Sequence, residues 1–473
     1  MTQHDDPADL PVHVLSQRLQ AGTQSPVALM EAYLARIAQQ EPALRAYAEV
    51  YADDARLAAQ AAEHAIRAGH SVGPLHGVPI ALKDLIDIAG RATGGGSLTR
   101  GRQATRHATL AERLMAQGMI VLGKTHTVEF AMGGWGTNSN TGTPWNPWDP
   151  DRARTPGGSS SGSGVAVAAG LAPWAVGTDT GGSVRLPAAW CGITGLKTTT
   201  GRVSTHGILP LSPTLDTPGP MARSVEDVAL LYTVMQGADT RDPLTRGLPY
   251  ADPLPGMRRG VKGLRLARMP EAERDYASAD VLAAYDESLR ELERLGAEIV
   301  PLSLPFRFAD VATDNLRIMA AESYAMYHAV IDDESAQVDP HVRPRLAAGR
   351  SITAKQYIDA LAHRPVMMAQ FESAMAGIDA LLTPTTMTTA IPLDEVDQTQ
   401  APAHYTRFGN YLNLAALALP NGVDAGGLPT SLQIVTRSGD EAMALRVGWA
   451  LQNATEWHLR RPAAMVGGGH LGR

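Results

Sequence analysis

Apolar and polar positions alternate along this chain in two rhythms, one of helices and one of short strands. From Ser25, "SPVALMEAYLARI" places Met30, Tyr33, Leu34 and Ile37 at the i, i+3, i+4, i+7 positions of one helical face. Ser25 suits the N-cap and Pro26 the first helical position. Alanine-rich helical sequence continues to about residue 68. The texture then changes at "GPLHGVPIALKDLIDI", where "VPIALKD" reads as a short strand ending in Lys83 and Asp84. A helix about "TLAERLMAQG" (109–118) feeds the apolar strand "MIVLGKT", and glycine closes the helix before the strand begins. That succession is the rhythm of a sheet with helices packed on it.

The rhythm returns in "DVLAAYDESLRELERLG", where Leu282, Tyr285, Leu289, Leu292 and Leu295 share a helical face before Gly296 and the strand "AEIVPL". Residues 239–260, rich in Pro, Gly and charge, read as a long surface connection. Residues 311–380 are mostly helical in pattern, and "DALLTPTTMTTAIP" returns to a strand and loop. "NYLNLAALALPNG" reads as a helix or a buried segment, followed by a strand and a helix. The tail "MVGGGHLGR" has nothing to anchor it and is expected to be disordered.

Composition narrows the function classes. The chain has 473 residues, is 44% hydrophobic, and carries a formal charge of −7 spread without long runs of one sign. It can bury a large core, and it shows no electrostatic footprint for nucleic acid or an anionic membrane. A single cysteine, Cys191, excludes an internal disulfide framework and points to a reducing compartment. The polar, acidic start "MTQHDDPADLPVHVL" is unlike a secretory signal, so a cytoplasmic location is expected. The run at 164–177 is too short to span a bilayer. The histidines show no metal-binding spacing, so no metal is expected.

The chemistry concentrates in serine and glycine. "TPGGSSSGSGVAVAAG" (155–170) has the composition of a flexible linker, yet after an apolar, strand-like segment "GTDTGGSVRLPAAWCGITGLKTTTG" (177–201) repeats a glycine pair before a serine. Such turns let several backbone N–H groups converge on one point, a nest suited to a developing oxyanion. A serine nucleophile also needs a base, and no histidine stands in a nucleophile elbow. Lys83, at the end of an apolar segment, is the lysine whose surroundings would hold it neutral. Cys191 has no adjacent base, and packing or loop anchoring suits Lys124 and Lys197 better than catalysis. Asp179 and Arg185 read as ions holding the nucleophile loop.

These blocks, "GVPIALKD" (77–84), "TPGGSSSGS" (155–163) and "GTDTGGSVRLPAAWCGITGLKTT" (177–199), resemble the amidase signature family of serine hydrolases. The separations agree: 76 residues from Lys83 to Ser159 and 24 from Ser159 to Ser183. The resemblance weakens after about residue 235 and resumes at "LLTPTT" and "NLAALALPNG". It implies one α/β domain over residues 8–462, with a large, twisted, mixed central sheet covered by helices. A helical cap over the site is expected at 311–400 and a disordered tail at 463–473.

The resemblance also implies a triad in which Ser183 is the nucleophile and Ser159, held by a cis peptide from Gly158, bridges it to the base Lys83. Ser160 would support the turn. The N–H groups of Thr180, Gly181, Gly182 and Ser183 would form the oxyanion hole. Met132, Gly133, Gly134 and Trp135 are the substrate-binding candidates, with weaker claims for Phe408, Tyr411, Thr385 and Thr386. The implied activity is hydrolysis of a carboxamide C–N bond through a Ser183 acyl-enzyme, without cofactor, extending chemically to carbamates and esters. Activity would fall as pH drops below the lowered pKa of Lys83. The expected partner is a small amide, with no nucleic acid and no membrane; a homodimer is common among similar proteins. The alternative is the glutaminase A-type subunit of a glutamine-dependent tRNA amidotransferase, although 311–420 lacks an aromatic-rich helical segment associated with that subgroup.

Overall fold

In the computed structural model, which describes residues 6–99 and 103–463, the strand and helix rhythms assemble into one mixed sheet. Its eleven strands are β1 (Tyr47–Val50), β2 (Pro79–Lys83), β3 (Ile120–Thr125), β4 (Trp174–Asp179), β5 (Thr194–Lys197), β6 (Thr217–Ala222), β7 (Arg265–Arg268), β8 (Glu298–Pro301), β9 (Ala380–Pro384), β10 (Ala415–Val423) and β11 (Pro429–Thr436). The spatial order is β1-β3-β2-β4-β6-β5-β10-β11-β9-β7-β8. Strand β2 runs parallel to both β3 and β4, and β7 parallel to both β8 and β9. The strands between these parallel groups pair antiparallel. The result is a large single α/β domain.

Local signals account for many of these elements. Ser25 Oγ accepts from the Ala28 N–H at 3.1 Å and caps a helix over Pro26–Leu44, whose buried face includes Met30, Tyr33, Leu34 and Ile37. The helix Ala279–Arg294 buries Tyr285 and Leu292, with Leu282, Leu289 and Leu295 packed partly against the core. Strands β2 and β4 are buried at every position, as expected where helices cover both faces of a parallel pairing.

Several elements depart from the pattern-based reading. The alanine-rich stretch to residue 68 is interrupted by β1, an edge strand that pairs antiparallel with β3. The segment after Ser160 is first a helix, Ser161–Ala168, and only then β4. "NLAALALPNG" resolves as strand β10, whose pairing with β5 and β11 supplies the backbone partners that a buried segment requires. The connection at 239–260 is tied down: Asp239 accepts from Ser204 Oγ at 2.8 Å and Asp242 from the Thr205 N–H at 2.7 Å. Within the expected cap at 311–400, the helices Phe308–Ile331 and Ala354–Ala374 precede β9, which lies inside the sheet between β11 and β7. The expected tail lies outside the described residues from 464 onward. Among the described residues no helix is long and apolar enough to cross a membrane.

Candidate active site

The ends of β2 and β4 bring the chemistry together. Lys83, the last residue of β2, is fully buried and donates from Nζ to Ser159 Oγ at 2.7 Å and to Thr178 Oγ1, on neighbouring β4, at 2.8 Å. Burial is the dominant influence on this lysine and pushes it down to about 7, opposed by the charges of Asp216 and Asp179. A neutral amine is therefore accessible to Lys83 at neutral pH, as base chemistry requires.

Ser159 sits in the turn that leads into the helix Ser161–Ala168, and the Gly158–Ser159 peptide is cis. The Ser159 carbonyl accepts from the Val128 N–H at 3.2 Å and from Thr127 Oγ1 at 3.0 Å. Gly158 N–H donates to the Gly134 carbonyl at 2.8 Å. A Cβ on Gly158 would stand 2.6 Å from the Gly136 nitrogen and 2.8 Å from the Gly133 oxygen, so glycine is required by the close approach of two backbones. Ser160 Oγ donates to the Thr178 carbonyl at 3.2 Å, and its N–H donates to the Ser183 carbonyl at 3.2 Å, tying the turn to the loop that carries Ser183.

That loop follows β4 and is organised around Asp179. The carboxylate accepts from the N–H groups of Gly182 at 2.7 Å and Val184 at 3.1 Å, and from Arg185 Nε at 3.0 Å. Arg185 and Asp179 are both fully buried, and Arg185 also reaches Gln433 Oε1, Asn410 Oδ1 and the Thr406 carbonyl. These donors hold the Asp179 carboxyl well below its ordinary range against the opposing effect of burial. Of the four amides expected to face an oxyanion, that of Gly182 is taken by Asp179, which leaves those of Thr180, Gly181 and Ser183. Thr180 Oγ1 itself donates to Asp216, whose carboxyl burial raises to about 6.

Ser183 keeps 8% of its surface exposed and opens onto a cavity of about 710 Å³. Met132, Gly133 and Gly134 line the cavity as well, as do Thr180 and Gly181. Trp135 stands apart from the lining. It stacks on Trp190 with ring centroids 5.4 Å apart and donates Nε1–H to the Gln400 carbonyl at 3.0 Å. Phe408 stacks on Phe308, and Thr385 bonds to Ser431, both in buried positions away from the lining. Tyr411 and Thr386 are likewise buried and absent from it.

The other polar candidates are occupied. Lys197 donates to the carbonyls of Thr198 and Leu414, and Lys124 lies 3.6 Å from Asp84. Burial alone raises the Cys191 thiol far above its ordinary value, an unreactive state. Sequence reasoning did not single out Thr178, Asp216, Arg345 or Arg407. Thr178 had a legible signal, because it lies one strand-end from the serine loop in "GTDTGGS". The others approach the site from distant segments.

With this geometry in view, the relatives are informative. The chain matches the family described as Amidase over residues 28–445. It is 37% identical, over 97% of its own length and 99% of the relative's, to the A-type subunit of the glutamyl-tRNA(Gln) amidotransferase of Chloroflexus aurantiacus. Among solved structures it is similar to one described as a vestigial protein complex bearing on the origins of an s-triazine catabolic enzyme. That likeness has a TM-score of 0.88 at 30% identity, covering 94% of this chain and 98% of that one. The native peptide amidase of Stenotrophomonas maltophilia is similar at a TM-score of 0.83 and 32% identity, covering 96% and 98%.

The Chloroflexus relative corrects one expectation. The expectation of a small-amide partner without nucleic acid is overturned by a full-length relative that is one component of a tRNA amidotransferase. Charge patterning alone does not exclude such partners, because one component of an assembly can leave nucleic-acid contact to other chains and so carry no basic footprint of its own. A family match across most of its length, and full-length relatives at this identity, make the chain a member of the amidase family.

Proposed function

We propose that this protein hydrolyses a carboxamide C–N bond through an acyl-enzyme on Ser183, and that it works in the cytoplasm as the A-type glutaminase component of an amidotransferase assembly. The chemistry rests on the buried Lys83–Ser159 hydrogen bond and on the Ser160–Ser183 backbone bond that ties its turn to the nucleophile loop, and the assembly role on the full-length likeness to the Chloroflexus amidotransferase component.

In the first step Ser183 Oγ attacks the carbonyl carbon, its proton passes to Ser159, and the Ser159 proton passes to neutral Lys83. The amides of Thr180, Gly181 and Ser183 are the donors left to meet the oxyanion that forms. The Lys83 ammonium then returns a proton through Ser159 to the leaving nitrogen, which departs as ammonia or an amine. Water attacks the remaining ester by the reverse relay, releasing the carboxylate and restoring Ser183. Lowering the lysine to about 7 suits both duties, since the group must accept and then donate near neutral pH.

A second reading, a free-standing hydrolase of simple amides, draws support from the cavity itself, which includes no Asp or Glu in its described lining to meet the ammonium group of glutamine. The test is ammonia release from glutamine, propionamide and benzamide by the purified chain, alone and co-purified with whatever partner chains it captures in its own host. Glutamine turnover that rises at least about tenfold with the captured partners supports the assembly role. Rapid turnover of simple amides by the chain alone, with glutamine inert, favours the second reading.

A further inference from the structure

Among the described residues, the cavity in front of Ser183 is lined by three cationic side chains, Arg317, Arg345 and Arg407, and by no carboxylate. Two of the three are engaged. Arg317 Nη1 donates to Asp314 at 2.8 Å. Arg345 Nη1 donates to the Met132 carbonyl at 3.1 Å and its Nη2 reaches Gln398. Arg407 is different: among the described residues no hydrogen bond or ion pair engages its guanidinium, and its Nε is buried without an acceptor.

Its position is close to the reacting centre. Arg407 lies on the helix His404–Tyr411, whose Thr406 donates from Oγ1 to the Gly181 carbonyl at 2.7 Å. A Cβ on Gly181 would stand 3.8 Å from Arg407 Nε, so the guanidinium borders the nucleophile loop two residues before Ser183. Burial pushes Arg407 down to about 10, which still leaves it a cation at neutral pH. Arg407 is part-buried; a partly desolvated charge without a counter-ion is costly unless a partner arrives, and guanidinium is suited to receive a carboxylate through paired N–H bonds.

We propose that the substrate is an amide bearing a carboxylate, that Arg407 binds this carboxylate, and that no group in the cavity recognises an ammonium. The walls formed by Met132, Leu186, Leu211, Leu316, Met319 and Ile352 are apolar. They accommodate a methylene spacer between the carboxylate and the scissile amide, which defines the class as monoamides of dicarboxylic acids. In this class the α-ammonium of glutamine contributes nothing to binding. The inference deepens the hydrolase reading above and rests on the same cavity.

Two measurements test it. In the first, the enzyme with its captured partner chains is assayed on glutaramate and adipamate, on the neutral diamides glutaramide and adipamide, and on glutamine. The wild type should favour the monoamides over the diamides by about 10- to 100-fold in kcat/KM, the scale of a hydrogen bond to a charged group. Glutaramate should match or exceed glutamine. Arg407→Gln should erase the preference by raising KM for the monoamides while leaving the diamides within a few fold, and Arg407→Lys should restore part of it. Equal rates on charged and neutral amides in the wild type overturn the proposal. So does an Arg407→Gln variant that lowers kcat equally for both, because that effect belongs to the reaction centre.

The second measurement separates this inference from the hydrolase reading. The Ser183→Ala protein is titrated calorimetrically with glutaramate and with glutaramide. Tighter binding of glutaramate by about tenfold or more sustains the anion site even if the wild type hydrolyses none of the panel, in which case the hydrolase reading is what fails. Equal affinity, or binding of neither, overturns the anion site whatever the turnover.

Discussion

Lys83 Nζ divides its hydrogen bonds between Ser159 Oγ at 2.7 Å and Thr178 Oγ1 at 2.8 Å, two hydroxyls that reach it from different elements. One hydroxyl belongs to the proposed relay and the other holds the amine in place. Because the lysine is fully buried, burial dominates its protonation, opposed by the nearby carboxylates Asp216 and Asp179.

Activity should follow the neutral fraction of Lys83. Its value near 7 lies well below the ordinary lysine range, so above pH 7 the amine is free to accept a proton. Below pH 7 the ammonium accumulates and kcat/KM should fall about tenfold per pH unit. A profile between pH 5 and 9 on a substrate without ionising groups checks this; a flat acidic limb removes Lys83 as the base.

Thr178→Val should move that limb. A hydrogen bond from an ammonium to a hydroxyl favours the charged form, so removing the acceptor lowers the lysine pKa further and shifts the acidic limb below pH 7. The plateau rate should also drop, by about tenfold, as Nζ loses one of its two anchors. Comparing the pH profiles of the variant and the wild type reads both effects.

Ser183→Ala and Ser159→Ala should each lower kcat by at least about 10³-fold, the range seen when an activated nucleophile or its relay is removed. Their combination should cost little more than either alone, since the two hydroxyls act as a unit. Additive losses in the double variant would separate their roles.

Asp179→Asn should destabilise the fold as well as the loop. It leaves Arg185 buried without a counter-charge and weakens the grip on the Gly182 and Val184 amides. Breaking a buried pair from one side costs about 3–5 kcal/mol, which denaturant unfolding would read directly. Activity should fall in parallel because the loop carries Ser183.

Gly158→Ala should be damaging out of proportion to one methyl group. The added carbon would press on the Gly136 and Gly133 backbones, and overpacking of this kind costs about 1–3 kcal/mol. The displaced turn would carry Ser159 away from Lys83. Loss of activity with a modest shift of the unfolding midpoint is expected.

What the sequence by itself determined were features written in short windows. The serine cap at Ser25, the helical face through Tyr285 and Leu292, and strand β2 ending at Lys83 are local arrangements of neighbouring residues. The three glycine- and lysine-bearing blocks were legible for the same reason, because each packs several functional groups into a few positions. Tertiary structure decided what depends on partners far along the chain. Strand β1 exists by pairing with β3, and "NLAALALPNG" became a strand because β5 and β11 flank it. Trp135 left the cavity because Trp190, from a separate segment, offers it a stacking face. Arg407 reached the nucleophile loop only because its helix packs there, more than two hundred residues away from Ser183 in sequence. Charge left unpaired at such a junction is visible only after the chain has folded, since its meaning lies in which carboxylates are absent around it.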